Sequence, residues 1–263
     1  KRRKEVVVVG GGLAGLACAM KLADLGCFVH LVSLVKVKRS HSVCAQGGIN
    51  IAVNLMGESD SPDIHTYDTI KGGDFLGDQP PILEMCHNGP ALIRMLDRMG
   101  VPFNRKNDGT INFRRFGGTL YNRTAFAGAS TGQQLIYALD EQVRRFEMKG
   151  LVKKYEHHEF MRCALDDDNV ARGIVMMDLF TLKMHTIKAD SVVLATGGNG
   201  MVFKYSTNST ICTGAANGRV YRQGAHIANP EFIQIHPTAI PGKDKLRLMS
   251  ESARGEGGRV WVY

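Results

Sequence analysis

The segment Val6-Val7-Val8-Val9-Gly10-Gly11-Gly12-Leu13-Ala14-Gly15 decides the fold of this chain. Four consecutive valines read as a strand buried on both faces, the pattern of a parallel sheet. Gly10, Gly12 and Gly15 then supply the tight turn, the close approach of backbone to a pyrophosphate and the close helix–strand packing that a GxGxxG fingerprint requires. Leu13, Leu16, Ala17, Met20 and Leu22 continue the pattern as a helix packed on a sheet. The unpaired N–H groups at its start, around Leu13 and Ala14, face the phosphates. The expectation is an α/β, Rossmann-like domain that binds a dinucleotide.

An NAD site carries Asp or Glu about 20 residues further on, at the end of the second strand, to hold the ribose hydroxyls. This chain has Ser33 there. No acidic residue occurs between Asp24 and Glu58, whereas Lys36, Lys38 and Arg39 do, so the site favours an anionic ligand portion and the NAD reading weakens. Next come Arg39-Ser40-His41-Ser42 and Ala45-Gln46-Gly47-Gly48. Taken alone, His41 is a polar loop histidine or a pH-sensitive contact.

The run from Ser33 to Gly48, together with Ala195-Thr196-Gly197-Gly198, His236-Pro237-Thr238 and Ser250-Glu251-Ser252-Ala253-Arg254-Gly255-Glu256-Gly257-Gly258, resembles the flavoprotein subunits of succinate dehydrogenase and fumarate reductase. The likeness extends from Val6 to the C-terminus. It implies an FAD-binding domain with a parallel sheet and a β-meander, plus the start of a capping domain. The implied FAD contacts are Gly10, Gly12, Ala14, Gly15, Ser33, Lys36, Ser40, His41, Ser42, Ala45, Gln46, Gly47, Gly48, Thr196 and Gly197. His41 would carry the flavin covalently through its 8α-methyl. Such a substituent raises the flavin potential, which helps oxidation of an unactivated carbon–carbon bond.

The same resemblance implies hydride transfer between a C4 dicarboxylate and flavin N5, succinate to fumarate or the reverse. His236 and Ser250 would hold substrate carboxylates, and Glu251 and Arg254 would relay protons behind an arginine base. Electrons would pass to an iron–sulfur subunit and on to a quinone at membrane-anchor subunits. The residues alone leave other readings open. His236 can be a satisfied histidine ending the extended apolar segment Phe232–Ile235, and Ser250, Glu251 and Arg254 can be a surface ion pair at helical spacing. The planar fork of Arg254 favours the carboxylate reading.

Three departures from the family stand out. Ser250 occupies a position where Thr is common, and Ala215, after Thr213-Gly214, one where Asp is common. The chain also ends at Tyr263, where the family continues through most of a capping domain and the catalytic arginine. The 263 residues by themselves are expected to be an inactive portion of a larger subunit. Two rival functions remain: a soluble FAD oxidase resembling L-aspartate oxidase, which lacks the His41 counterpart, and a non-catalytic flavin-binding fragment.

Composition removes other classes. With 44% hydrophobic and 22% charged residues the chain can bury a core, which excludes disorder. The formal charge of +8 owes half to Lys1-Arg2-Arg3-Lys4, and the remaining basic residues are scattered, so no nucleic-acid partner is expected. Six cysteines form no CxxC and no pairing with nearby histidines, which points to a reducing compartment and to no metal site. Neither a membrane span nor a signal peptide is legible. The expectation is a peripheral protein on the cytoplasmic side of the cell membrane, held there by partner subunits.

Further along, Ala91, Leu92, Met95, Leu96 and Met99 suggest the apolar face of a helix interrupted at Gly89-Pro90. Polar loop is expected from Asn104 to Arg115. Leu135, Ile136, Leu139, Val143 and Phe146 suggest a core-facing helix, with Glu141, Arg144 and Arg145 on a solvated face. Asp166-Asp167-Asp168-Asn169 reads as a hairpin turn between strands Phe160–Leu165 and Ala171–Phe180, and not as a cation site. Strand Ser191–Ala195 returns the chain to the cofactor edge. The expected domains are 1–235, binding FAD, and 236–263, opening the capping domain.

Overall fold

The computed structural model describes residues 2–116, 118–244, 246–249, 252–255 and 257–261. In chain order the strands are β1 (Glu5–Val9), β2 (Phe28–Ser33), β3 (Ile49–Asn50), β4 (Phe113–Arg114), β5 (Thr124–Ala125), β6 (Val152–Glu156), β7 (His158–Leu165), β8 (Ala171–Asp178), β9 (Met184–Lys188), β10 (Ser191–Leu194), β11 (Ala239–Ile240) and β12 (Arg247–Leu248). The helices are α1 (Leu13–Asp24), α2 (Pro62–Gly72), α3 (Gln79–Arg98), α4 (Thr131–Met148), α5 (Ala215–Tyr221) and the short α6 (Ser252–Gly255). Two compact units result, residues 1–44 with 136–248, and residues 45–135 with 249–263.

The first unit is built on a parallel sheet in the order β10-β1-β2-β6. The valine strand β1 lies between β10 and β2, with Val7 facing Val192 on one side and His30 on the other. Val7 and Val8 are wholly buried, one towards each face, which is why the strand reads as uninterrupted valine. Each such side chain contributes roughly 1.5–3 kcal/mol by leaving water. Val7, Val9 and Val32 pack with Phe160, Ile174, Met176 and Ile187 of the antiparallel sheet β7-β8-β9 and with Val220 of α5. The expected parallel sheet and meander are therefore both present.

The meander's first turn is the acidic run. Asp166 Oδ1 accepts the N–H groups of Asp168 and Val170, and Asn169 sits at φ 61°, so the run closes on itself as a hairpin turn. In α4 the five apolar positions are all buried. The polar side is solvated as expected, with Glu141, Arg144 and Arg145 exposed; the carboxylate with structural meaning is the neighbouring Asp140, which is fully buried. Lys154 Nζ lies 2.6 Å from one Asp140 oxygen, while Arg144 Nε at 3.1 Å and Lys38 Nζ at 3.5 Å approach the other. That second oxygen is close to two cations but has no directional hydrogen bond. The segment Phe232–Ile235 forms no strand, and Phe232 and Ile235 are exposed, so the reading of His236 as ending a strand is corrected.

The second unit pairs α2 with α3 and carries the antiparallel sheet β3-β5-β4. Helix α2 starts where Ser61 accepts the N–H of Ile64 and Pro62 follows, a start signal of capping residue and first-turn proline. Helix α3 runs without interruption through Gly89-Pro90, contrary to the sequence expectation. Its buried stripe is Cys86, Gly89, Ile93 and Leu96, while Ala91 and Leu92 are exposed. A mid-helix proline costs about 3 kcal/mol, and burial on both sides of it offsets that cost; Gly89 lies so close to Ile51 that a Cβ there would sit 3.2 Å from its Cγ2. The polar stretch from Asn104 to Arg115 is partly ordered by the Arg105–Ile111 bridge and by β4.

Candidate cofactor cleft

Where β1, β2 and β10 end, the first unit opens into a cleft of about 360 Å³. This is the carboxyl edge of a parallel sheet, beside the central strand with a neighbour on each side, where such folds place ligands. Gly10, with φ +119°, passes so close to β10 that a Cβ would stand 2.1 Å from the carbonyl oxygen of Ala195. A Cβ on Gly15 would stand 1.7 Å from the carbonyl oxygen of Gly10, so only glycine lets α1 start directly over β1. Gly12 precedes the first turn of α1, which has no acidic residue, leaving its N–H end electropositive.

Gly10, Gly12, Leu13, Ala14, Ser33, Ser40, His41, Ser42, Thr196 and Gly197 all line the cleft. Leu13 N–H donates to Ser42 Oγ at 3.3 Å, a long bond that leaves room for a better acceptor. Ser40 is buried, and its Oγ has no hydrogen-bond partner. A buried hydroxyl without a partner costs about 1–3 kcal/mol, and this one sits in the wall of a ligand-sized cleft. His41 is exposed at the start of a 3₁₀ turn, His41–Cys44, and its Nδ1 accepts the N–H of Ser209 at 3.1 Å. Lys36 is exposed and is not among the cleft-lining residues.

Several cleft residues escaped the sequence reading. Glu159 and Arg219 form an ion pair at 2.7 Å, and Arg219 also donates to the carbonyl oxygen of Phe160. Asn217 accepts from Thr196 Oγ1 at 3.3 Å and donates to Asn199 at 3.0 Å, tying the loop after β10 to α5. None carries a local motif, because each is brought to the cleft by the fold and not by its neighbours in the chain.

Ala45, Gln46, Gly47 and Gly48 belong to the second unit. There, Gly132 N–H donates to the Ala45 carbonyl at 2.7 Å, and Thr131 Oγ1 to that of Gln46 at 3.3 Å. A Cβ on Gly47 would stand 2.3 Å from the Phe116 ring, and one on Gly48 2.5 Å from the Ala125 carbonyl oxygen. Packing within this unit thus already requires the glycine at 48, whereas a side chain at 47 would have to displace the Phe116 ring. Of the dicarboxylate candidates, His236 is half-buried, its N–H donates to Thr207 Oγ1 at 2.9 Å, and its Nδ1 lies 2.8 Å from the Thr238 carbonyl oxygen. Arg254 is exposed on α6. Ser250 and Glu251 lie outside the described residues.

The second unit also holds a buried cluster that sequence did not announce. Arg123 forms two bonds to Asp60, Nε–Oδ2 at 3.0 Å and Nη2–Oδ1 at 2.7 Å, and reaches Asp68 at 2.9 Å. Burial, reinforced by the Arg123 charge, pushes the pKa of neighbouring His65 below its ordinary value.

A GxGxxG turn on a parallel sheet, a meander packed across it and a cleft with an electropositive helix start define a dinucleotide-binding flavoprotein fold. Residues 5–262 match the FAD binding domain family, and the chain belongs to it. It is 62% identical over 261 residues to the succinate dehydrogenase flavoprotein subunit of Bacillus subtilis, a match covering 99% of this chain and 44% of that one. A mutant quinol fumarate reductase structure from E. coli superposes with a TM-score of 0.88 at 35% identity, covering 97% of this chain and 43% of that one. A quinol–fumarate reductase structure with menaquinol molecules gives 0.87 at 35% identity, over 98% and 44%. The chain thus spans less than half the length of the relatives it matches. Among the described residues no helix is long and apolar enough to cross a membrane.

Proposed function

We propose that this chain is the FAD-holding part of a flavoprotein subunit that interconverts succinate and fumarate. The observation that carries the reading is the buried, partnerless Ser40 hydroxyl beside the Gly10–Gly15 turn, because such a cleft wall fits a polar cofactor and disfavours an apolar one. FAD, when bound, supplies a hydride acceptor at its flavin ring. The Leu13 and Ala14 end of α1 would face the pyrophosphate, and Ser33, at the end of β2, would meet the ribose. Thr196 and Gly197 would close the cleft from the side of β10.

His41 would hold the flavin covalently. Its Nδ1 is engaged by Ser209 N–H, so the bond would form at the other ring nitrogen, Nε2. His236 and Ser250 would bind substrate carboxylates, with Glu251 and Arg254 in the proton relay, and residues 236–263 would open the capping domain. Electrons would leave through an iron–sulfur subunit to a quinone at membrane-anchor subunits. The whole would sit peripherally on the cytoplasmic side of the membrane, with no nucleic-acid partner.

The test is acid precipitation of the full-length subunit, which should leave a yellow pellet. The His41→Ala protein should retain FAD but give a colourless pellet, since the Gly10–Gly15 contacts are separate from the 8α bond. Its succinate oxidation should fall more than its fumarate reduction as the flavin potential drops. A colourless pellet from FAD-loaded wild type would overturn the covalent assignment, and FAD-loaded protein without turnover of either acid would overturn the activity.

A further inference from the structure

We propose that His158, Asp178 and His185 form a zinc site across the three strands of the β7-β8-β9 sheet. His158 lies directly opposite Asp178, and His185 directly opposite Met176. Residues two apart on a strand share a face, so the three side chains stand together on the face that buries Phe160 and Met176. One donor atom from each, two imidazole nitrogens and a carboxylate oxygen, all lie within 4.8 Å of one another.

Two of the three ligands are already oriented. His158 Nδ1 is 2.8 Å from the carbonyl oxygen of Glu156. A proton donated there fixes the tautomer and turns the Nε2 lone pair outward, as metal-bound histidines are arranged. Asp178 Oδ1 accepts the N–H groups of Phe180 at 2.8 Å and Thr181 at 3.2 Å, which fixes its carboxylate. His185 is exposed and supplies the adjustable third ligand.

The donor set selects the ion. Magnesium and calcium take oxygen ligands, whereas two imidazoles with one carboxylate suit zinc and its borderline neighbours. Zinc bonds of about 2.0–2.2 Å place tetrahedral donors roughly 3.3 Å apart, so the three donors, now within 4.8 Å of one another, would have to draw in on the ion. Three protein ligands leave a fourth position for water. The sequence hid the site because its members are spread over three strands, with no short ligand motif.

The experiment strips the full-length subunit with a chelator, titrates it with zinc chloride against a chromogenic zinc chelator, and counts zinc per chain after desalting. Wild type should retain one zinc more than His158→Ala/His185→Ala, and Asp178→Asn should weaken that site by at least about tenfold, the scale of losing even a residue that supports a ligand. Zinc, and not magnesium, should raise the melting temperature of wild type. Should the double variant fold poorly, His185→Ala carries the test, because an exposed residue is replaceable. It should melt with wild type in chelator and lose the extra zinc. Equal zinc uptake by wild type and a folded His185→Ala protein would overturn the proposal.

Discussion

The cofactor cleft of the first unit is made from backbone, whereas the interior of the second unit is pinned by charge. In the cleft, chain segments approach until a single methyl group no longer fits, and the glycines that allow it fall within six residues, Gly10 to Gly15. In the second unit, the guanidinium of Arg123 is 1% exposed and is neutralised by Asp60, 63 positions away, and by Asp68. Steric limits on backbone leave a local signature in sequence. Charge pairing leaves none, because arginine and aspartate are also ordinary surface residues.

The sharpest way to break this comparison is to remove the buried charge. Arg123→Met keeps bulk but leaves Asp60 buried and uncompensated, a loss of about 3–5 kcal/mol. Denaturant titration of the full-length subunit should show it. Arg123→Lys should fall between, since an ammonium cannot form the paired bonds of the guanidinium. A loss below about 1 kcal/mol, the worth of an exposed pair, would mean that apolar packing and not charge holds this unit.

The backbone side of the comparison predicts a smaller stability cost with a larger functional one. Gly15→Ala places a methyl against the Gly10 carbonyl and should cost about 1–3 kcal/mol as α1 shifts away from β1, with bound FAD per chain reduced. Gly26→Ala, outside the cleft, is the control, because its φ is +85° yet nothing lies within 4 Å of the added Cβ. It carries only the left-handed strain of about 1–2 kcal/mol and should keep its FAD. If both variants lost FAD equally, close approach would not be what the fingerprint glycine provides.

The same contrast explains how far the sequence was legible. The valine strand, the GxGxxG turn, the α4 stripe and the acidic hairpin turn were all readable, because each depends on neighbours in the chain. Pro90 misled because the signal for a helix break is local while the burial of Cys86, Gly89, Ile93 and Leu96 is not. Asp140 carries no local signal because its partners Lys38 and Lys154 come from distant segments. Glu159, Arg219 and Asn217 stayed hidden for the same reason: they reach the cleft through the meander and α5, elements that carry no motif of their own. The glycines of Gln46-Gly47-Gly48 were legible as important but not as packing residues, since Phe116 and Ala125 lie far along the chain.

The smallest effect separates binding from packing at one hydroxyl. Ser40→Ala removes a buried Oγ that has no partner within the chain, so the flavin-free protein should be as stable as wild type or slightly more so. If that hydroxyl instead waits for the cofactor, FAD affinity should fall by the worth of one hydrogen bond, about 0.5–1.5 kcal/mol, which is at most about tenfold. The measurement needs reversible binding, so it is made in the His41→Ala background by titrating flavin-free protein with FAD and following flavin fluorescence. Unchanged FAD affinity together with reduced stability would reassign Ser40 to packing, and the cleft would then rest on backbone alone.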